Sequence, residues 1–237
     1  MTFQDKTIII TGGGKGIGRG ITERFADQGA TVIICGRREP ETLPPNTHFI
    51  SLDIREPDAA QKLVEFALDR TGRIDCLINN AGGGPPVASA EASPRLTEKI
   101  VALNLMAPIY LAQAAYPHLK GSGGSIINMG SIAWIIGKDS MPCYMTAKSA
   151  VEGMTRSLAR AFGPDNIRVN TVLPGWIITQ RQEEMWFDET SEKTIFDNQC
   201  LKRILVPEDM LGPLLFLASD TSSACTNQRF IVDGGWV

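Results

Sequence analysis

Apolar residues along the chain fall into short continuous runs separated by longer stretches with a helical repeat. Lys6-Thr-Ile-Ile-Ile-Thr11 is β-branched and ended by glycines, which predicts a strand buried on both faces. Similar runs at Thr31–Cys35, His48–Leu52, Ile74–Asn79, Ser125–Met129, Ile167–Val172 and Arg229–Val232 predict further strands. The helical repeat covers Gly20–Gln28, Pro57–Arg70, Ser93–Lys120, Tyr144–Phe162 and Pro207–Ala218. Residues 38–47 are polar and carry Pro40, Pro44 and Pro45, so a loop replaces most of the second crossover helix. Residues 176–205 read as irregular and, by position, as a lid over a substrate. Strands and helices alternate with no repeat, linker or low-complexity tract, which predicts one doubly wound α/β domain over residues 1–237.

The first strand runs into Gly12-Gly-Gly-Lys-Gly-Ile-Gly18 and then a helix. Glycines at this junction let backbone N–H groups approach a pyrophosphate at a helix N-terminus, where the dipole favours an anion. After the second strand a NAD-binding site usually carries an acid for the ribose 2′-OH. Here Gly36 stands in that place and Arg37 follows, with Lys15 in the glycine loop. A guanidinium pairs with a 2′-phosphate, so NADP is favoured over NAD, although Glu39 could reach the ribose instead. Asp53, past the third strand, has two readings: an acceptor for the adenine amino group, or a cap for the next helix. Asn79-Asn-Ala-Gly-Gly-Gly84 again permits close approach to a ligand. Asn104, inside an apolar run, is either a core residue bonded to backbone or a member of the active site.

The stretch Gly130–Lys148 holds the candidate chemistry. Ser131 follows a strand, Tyr144 comes thirteen residues later and Lys148 four after that. On a helix the last two share a face. A neighbouring ammonium stabilises a phenolate, and lowering a tyrosine pKa from about 10 to about 7 needs roughly 4 kcal/mol, a task for one desolvated Lys together with a nearby cationic cofactor. Tyr144 is therefore the candidate general acid/base and Ser131 a donor to a developing alkoxide.

Composition narrows the classes. The net charge is −3 and 43% of the 237 residues are hydrophobic. No basic block supports nucleic-acid or anionic-membrane binding. The N-terminus lacks a signal-peptide pattern, and the longest nearly apolar span, Ile100–Tyr116, falls short of about 20 residues. Five scattered cysteines without a C-x-x-C pair predict reduced thiols in a cytoplasmic protein. Cys143 reads as a packing residue, and His48 and His118 offer little for a metal site or a Ser-His-Asp triad.

With these motifs in order, the chain resembles the short-chain dehydrogenase/reductase superfamily over essentially its whole length. The resemblance rests on Thr11-Gly-x-x-x-Gly-x-Gly18, Asp53, Asn79-Asn-Ala-Gly82, Asn104, Ser131, Tyr144-x-x-x-Lys148 and Pro174-Gly-x-x-x-Thr179. It implies a Rossmann-type domain with seven mostly parallel strands, a nicotinamide cofactor and interconversion of an alcohol and a carbonyl. It implies a catalytic tetrad of Asn104, Ser131, Tyr144 and Lys148, with Asn104 helping to hold a water near Lys148. Cofactor contacts are expected at Gly12, Lys15, Gly16, Ile17, Gly18, Arg37, Asp53, Ile54, Asn80, Ala81, Gly82, Tyr144, Lys148, Pro174, Gly175, Ile177 and Thr179. By the same resemblance Lys148 bonds the nicotinamide ribose, Ile177 and Thr179 hold the carboxamide, and Asp53 takes the adenine. A homodimer or homotetramer packed through the helices of Asn104 and Tyr144 is also implied.

The C-terminal third is similar to bacterial aldose dehydrogenases of this family. The residues are Pro174-Gly-Trp, Thr179-Gln-Arg-Gln182, Asn198-Gln-Cys-Leu-Lys202, Pro207-Glu-Asp209, Phe216-Leu-Ala-Ser-Asp220 and Val232-Asp-Gly-Gly-Trp-Val237. A polar lid at Gln180, Arg181, Gln182 and Glu183 suits a sugar's hydroxyls, while Trp134, Ile135, Ile136 and Met141 lend apolar surface. Such enzymes often use NAD or either cofactor, from which Gly36-Arg37 departs. The alternatives are an NADPH-dependent ketoreductase on acyl thioesters or other ketones, and a cofactor sensor without chemistry. The intact tetrad speaks against the sensor.

Overall fold

The computed structural model describes residues 2–87, 91–137, 140–185 and 187–237. Its strands are β1 (Thr7–Thr11), β2 (Thr31–Gly36), β3 (Thr47–Ser51), β4 (Cys76–Asn79), β5 (Gly124–Met129), β6 (Ile167–Pro174) and β7 (Arg229–Val232). They form one seven-stranded sheet in the order β3-β2-β1-β4-β5-β6-β7. Every pairing is parallel, where the resemblance implied mostly parallel. The chain moves outward from β1 to β3, then returns to place β4 on the other side of β1. That reversal opens a crevice at the C-terminal strand ends, where α/β proteins bind ligands.

Strand alternation sends neighbouring side chains into two cores. Ile9, Ile33, Leu77 and Ile126 pack under α2 (Ala59–Thr71), α4 (Ala107–Leu119) and α6 (Pro142–Phe162). Ile8, Ile10, Val32 and Ile78 pack under α1 (Gly16–Asp27) and α9 (Leu211–Ala218). No helix separates β2 from β3, as the proline-rich loop predicts. Pro40 of that loop folds back on the glycine segment: a Cβ added to Gly14 would lie 2.8 Å from its Cγ.

Three elements depart from expectation. First, α1 begins at Gly16, inside the glycine motif, and not at Gly20. Second, the helix predicted over 93–120 is α3 (Pro94–Val101) and α4 joined by a π-helical turn, Ala102–Met106, which holds Asn104. Together they span 26 residues, Pro94–Leu119, long and apolar enough to cross a membrane by length and composition, so the shorter estimate is corrected. In this protein the span packs on the sheet, with Leu111, Ala112 and Ala115 almost fully buried. Third, 176–205 is not irregular: it contains α7 (Gln180–Met185) and α8 (Glu189–Asn198). A short α5 (Ala133–Ile136) also follows β5.

Candidate active site

The glycine segment closes on itself by backbone contact. Gly12 and Gly16 have φ of 66° and 54°, the left-handed region that side chains resist. A Cβ on Gly18 would stand 2.3 Å from the Gly12 carbonyl oxygen and 2.5 Å from Asn80 Nδ2. Asn80 Nδ2 donates to the Thr11 carbonyl at 2.9 Å. The Thr11 hydroxyl accepts from the N–H groups of Asn80 and Ala81 at 3.0 and 2.9 Å. Lys15 caps α1 by position only, and among the described residues no side-chain cap bond closes the start of the helix. Its first N–H donors and the dipole suit an anion, so the cradle fits the pyrophosphate of a nicotinamide dinucleotide. Ile17 packs its side chain into the core behind this segment.

At the far rim, β2 ends at Gly36 with Arg37, Arg38 and Glu39 exposed. Among the described residues no ion pair engages the side chains of Lys15, Arg37 or Glu39. Asp53 does not cap the following helix: α2 starts at Ala59 with Asp58 at its cap position. Instead Asp53 forms a bidentate pair with Arg55, in which Nε lies 2.8 Å from Oδ1 and Nη2 contacts Oδ2. The hydrogen bond from Arg55 holds the Asp53 carboxyl below its ordinary range, and the charge of Arg37 acts in the same direction. Sequence reading missed Arg55, since adjacency to Asp53 carries no periodic signal. Ile54 between them is buried.

The chemistry sits where β5 ends. Ser131 Oγ accepts from the Ala133 N–H at 3.1 Å, and its hydroxyl is near enough to Tyr144 to favour the ionised phenol. Lys148, only 4% exposed, donates from Nζ to the Met129 carbonyl at 2.6 Å. Its ammonium lies 5.8 Å from the Tyr144 ring centroid. Burial brings the Lys148 pKa from 10.5 down to about 8. The expected lowering of the tyrosine is absent in the protein alone. Burial pushes the Tyr144 phenol up, and the Ser131 hydroxyl only partly offsets it. The Lys148 ammonium is turned to a backbone carbonyl, so activating the phenol requires further positive charge.

Asn104 is fully buried in the π-turn. Its Nδ2 donates to the carbonyls of Ile100 and Gly83, each at 2.9 Å, and its Oδ1 accepts from the Gly83 N–H at 2.9 Å. Both readings of this residue therefore meet: the amide is satisfied by backbone and stands at the site. A Cβ on Gly82 would lie 2.8 Å from Asn104 Oδ1 and 3.0 Å from Lys148 Nζ. π-turns recur at functional positions because they re-aim a side chain.

A buried polar chain behind the site escaped sequence reading. Asn79 Nδ2 donates to Asn128 Oδ1 (2.8 Å), and Asn128 Nδ2 to the Thr155 hydroxyl (2.9 Å). The Thr171 hydroxyl donates to Thr155 at 2.8 Å. The chain ties β4, β5 and β6 to α6 two turns beyond Lys148. Its only sequence signal is polar residues inside otherwise apolar strands.

The third wall is the segment after β6. Pro174 is buried, and a Cβ on Gly175 would lie 2.6 Å from the Asp233 Cα. Asp233 in turn accepts from the N–H groups of Gly235 and Val237, both at 2.8 Å. Ile177 is buried and bridges Leu205 in parallel, while the Ile178 N–H donates to the Leu205 carbonyl at 2.8 Å. Thr179 leans over the glycine segment, its Cγ2 3.5 Å from where a Gly16 Cβ would be. The side chain of Arg181 and all of Trp186 lie outside the described residues. Cys143, beside Tyr144, contacts the Thr97 hydroxyl at 3.2 Å.

Crevice, glycine cradle and the Ser-Tyr-Lys group, with its lysine buried, together define a nucleotide-dependent oxidoreductase site. The enoyl-(acyl carrier protein) reductase family model matches residues 12–237. The chain is 39% identical, over 98% of its length and 95% of the relative's, to a Rhizobium meliloti protein named as a galactose dehydrogenase. It is 37% identical to D-xylose 1-dehydrogenase of Caulobacter vibrioides, covering 99% of this chain and 97% of that one. A Sinorhizobium meliloti 1021 crystal structure, described as a short-chain alcohol dehydrogenase, superposes with a TM-score of 0.93 at 28% identity, covering 99% and 97%. The chain belongs to the short-chain dehydrogenase/reductase family, and it is an oxidoreductase acting on CH–OH groups with a nicotinamide cofactor.

Proposed function

We propose that this enzyme oxidises the anomeric hydroxyl of a free aldose to the lactone, with NADP⁺ as the favoured acceptor. The Ser131–Tyr144–Lys148 group beside the glycine cradle carries the redox chemistry. The likeness of the whole chain to galactose and xylose dehydrogenases supports the sugar. A bound nicotinamide supplies the hydride acceptor in this direction and the donor in reverse. Tyr144, as phenolate, takes the substrate hydroxyl proton, and Ser131 donates to the same oxygen as charge develops there. Lys148, beside the tyrosine, supplies positive charge and spare N–H donors, which also suit a ribose. Asn104 holds the Gly83 backbone, which fixes segment 82–84 beside Lys148.

In this reading Gly12, Gly16, Gly18, Asn80, Ala81 and Gly82 bound the dinucleotide, with Lys15 and Arg37 toward a 2′-phosphate. Asp53 and Ile54 meet the adenine, and Pro174, Gly175, Ile177 and Thr179 meet the nicotinamide. Residues 1–237 act as one unit with 176–205 as the substrate lid. The five free cysteines suit a cytoplasmic enzyme, and an oligomer packs through α4 and α6.

Purified enzyme followed at 340 nm with NADP⁺ or NAD⁺ over a panel of aldoses tests the reading. Reduction of NADP⁺ by one or a few aldoses is expected. A second reading, a ketoreductase on acyl thioesters, is favoured by the acyl-carrier substrate of the matching family description. Silence on aldoses with NADPH consumed on ketones or acyl thioesters would replace the first reading by the second.

A further inference from the structure

Three polar residues stand side by side across the middle of the sheet. Asn79 of β4 is in register with Asn128 of β5, and Asn128 with Thr171 of β6. Their bonds converge on Thr155 of α6, and none of the four is more than 3% exposed. Apolar side chains could fill the same space without desolvating amides and hydroxyls. What the polar row adds is direction. A hydrogen bond fixes distance and angle, whereas apolar contact fixes neither.

The row lies one residue short of the strand ends that build the site. Asn80, next to Asn79, donates to the Thr11 carbonyl, and Met129, next to Asn128, offers the carbonyl that takes Lys148 Nζ at 2.6 Å. Lys148 and Thr155 are seven residues apart on α6, two turns along one face. Among the described residues, Lys148 and Thr155 make the bonds from α6 side chains to the sheet, with a longer one, 3.4 Å, from Arg229 to Glu152. Val151, buried between them, packs without direction. Thr155 therefore sets how α6 lies along the sheet, and with it the reach of Lys148 to Met129.

A buried ammonium keeps its proton best while an acceptor faces it. Burial is the cause that brings Lys148 from 10.5 down to about 8, and burial and the Ser131 hydroxyl are the causes acting on Tyr144. The titratable groups on α6 and the elements packed against it are engaged elsewhere or exposed. Glu152 faces Arg229, Arg168 of β6 donates to the Leu217 and Ser219 carbonyls, Asp165 takes the Tyr116 hydroxyl and Cys143 contacts Thr97. Arg156 and Arg160 on α6, and Arg95, Glu98 and Lys99 on α3, are exposed. The Met129 carbonyl is thus the contact that favours the charged lysine.

We propose that Thr155, held by Asn128 and Thr171, is a positioning residue for Lys148 that keeps α6 in the register where the ammonium meets the Met129 carbonyl. Without that hold the lysine gives up its proton more readily, the Tyr144 phenolate loses a neighbouring charge, and the phenol titrates higher. The inference rests on the reading of Tyr144 and Lys148 as the proton-handling pair and on no choice of substrate.

Thr155→Val keeps the shape and removes the acceptor, whereas Thr155→Ser keeps the hydroxyl. Both are assayed on whichever substrate the wild type turns over, because the phenol gives a limb that rises with pH in oxidation and falls with pH in reduction. In Thr155→Val, kcat should fall about 10–100-fold. The limb should move up by about one pH unit. Thr155→Ser should restore both. A lower stability with the limb unmoved, or a limb displaced equally in the serine variant, would overturn the proposal. If circular dichroism shows Thr155→Val unfolded, Thr171→Val, which removes one of the two bonds, decides instead: a limb moved upward upholds the proposal and an unmoved one overturns it. Tyr144→Phe separates the two levels. A limb that survives there belongs to another group, and the pair reading fails together with the proposal. A limb lost there but unmoved in Thr155→Val sinks the positioning role alone.

Discussion

Segment 12–18 and the excursion 178–205 border the same crevice, and they are held in different ways. The first is backbone against backbone: Gly18 touches the Gly12 carbonyl, and Asn80 and Thr11 fasten it to the neighbouring strand. The second is pinned at its base by the Ile177–Leu205 bridge and presents helices whose pairs, such as Lys193–Asp197 and Gln180–Glu184, lie on the surface. In α8 only Ile195 is deeply buried. A wall without side chains tolerates no change and suits a ligand part that never varies. A wall of side chains on a tethered flap can be rewritten without disturbing the sheet, which suits a substrate.

Substitutions should separate the two walls in order of effect. Tyr144→Phe should lower kcat by about 10³-fold or more while cofactor affinity, read by NADPH fluorescence, holds. Oxidation by the wild type should also speed up as pH rises above neutral, because burial keeps the phenol protonated. The residual rate of the variant should lack that limb. On the backbone wall, Gly18→Val should weaken cofactor binding by about 10²-fold or more, since its Cβ alone collides with the Gly12 carbonyl.

Lys148→Met should abolish turnover yet stabilise the fold. The folded lysine titrates near 8 against an ordinary 10.5, so the unfolded chain binds more protons between those values. The destabilisation is full below pH 8 and fades as pH rises to 10.5. The variant should gain about 1–3 kcal/mol in urea melts at pH 7, with the lost Met129 bond as an offset, and less at pH 10. Arg37→Ala should shift the NADP⁺/NAD⁺ preference about tenfold toward NAD⁺, read from kcat/KM. Lys193→Ala, on the tethered wall, should change stability by no more than about 0.5 kcal/mol in the same melts.

The two walls also differed in legibility. Strand ends, glycine spacing and the Ser131–Tyr144–Lys148 interval are short-range patterns with one structural meaning each, so they could be read directly. The start of α1 at Gly16 could not, because glycines depress helix propensity and tertiary contact overrides it here. α7 and α8 are short, polar and exposed, and so lack the apolar stripe that marks a helix. The capture of Asp53 by Arg55 and the turning of Lys148 to Met129 depend on side-chain choices among several nearby partners.

The π-turn at Ala102–Met106 makes Pro94–Leu119 a helix with a phase slip. One added residue rotates everything beyond it by about 100°. The span therefore faces two neighbours: α3 and the turn lie against α6, and α4 lies against α2. A regular rod with a single stripe would match only one of them. Losing one residue from the turn would straighten the hydrogen bonding and swing Leu111, Ala112 and Ala115 off the sheet. The seat of Asn104 is thus guarded by packing several turns away, in the half of the helix that never meets the crevice.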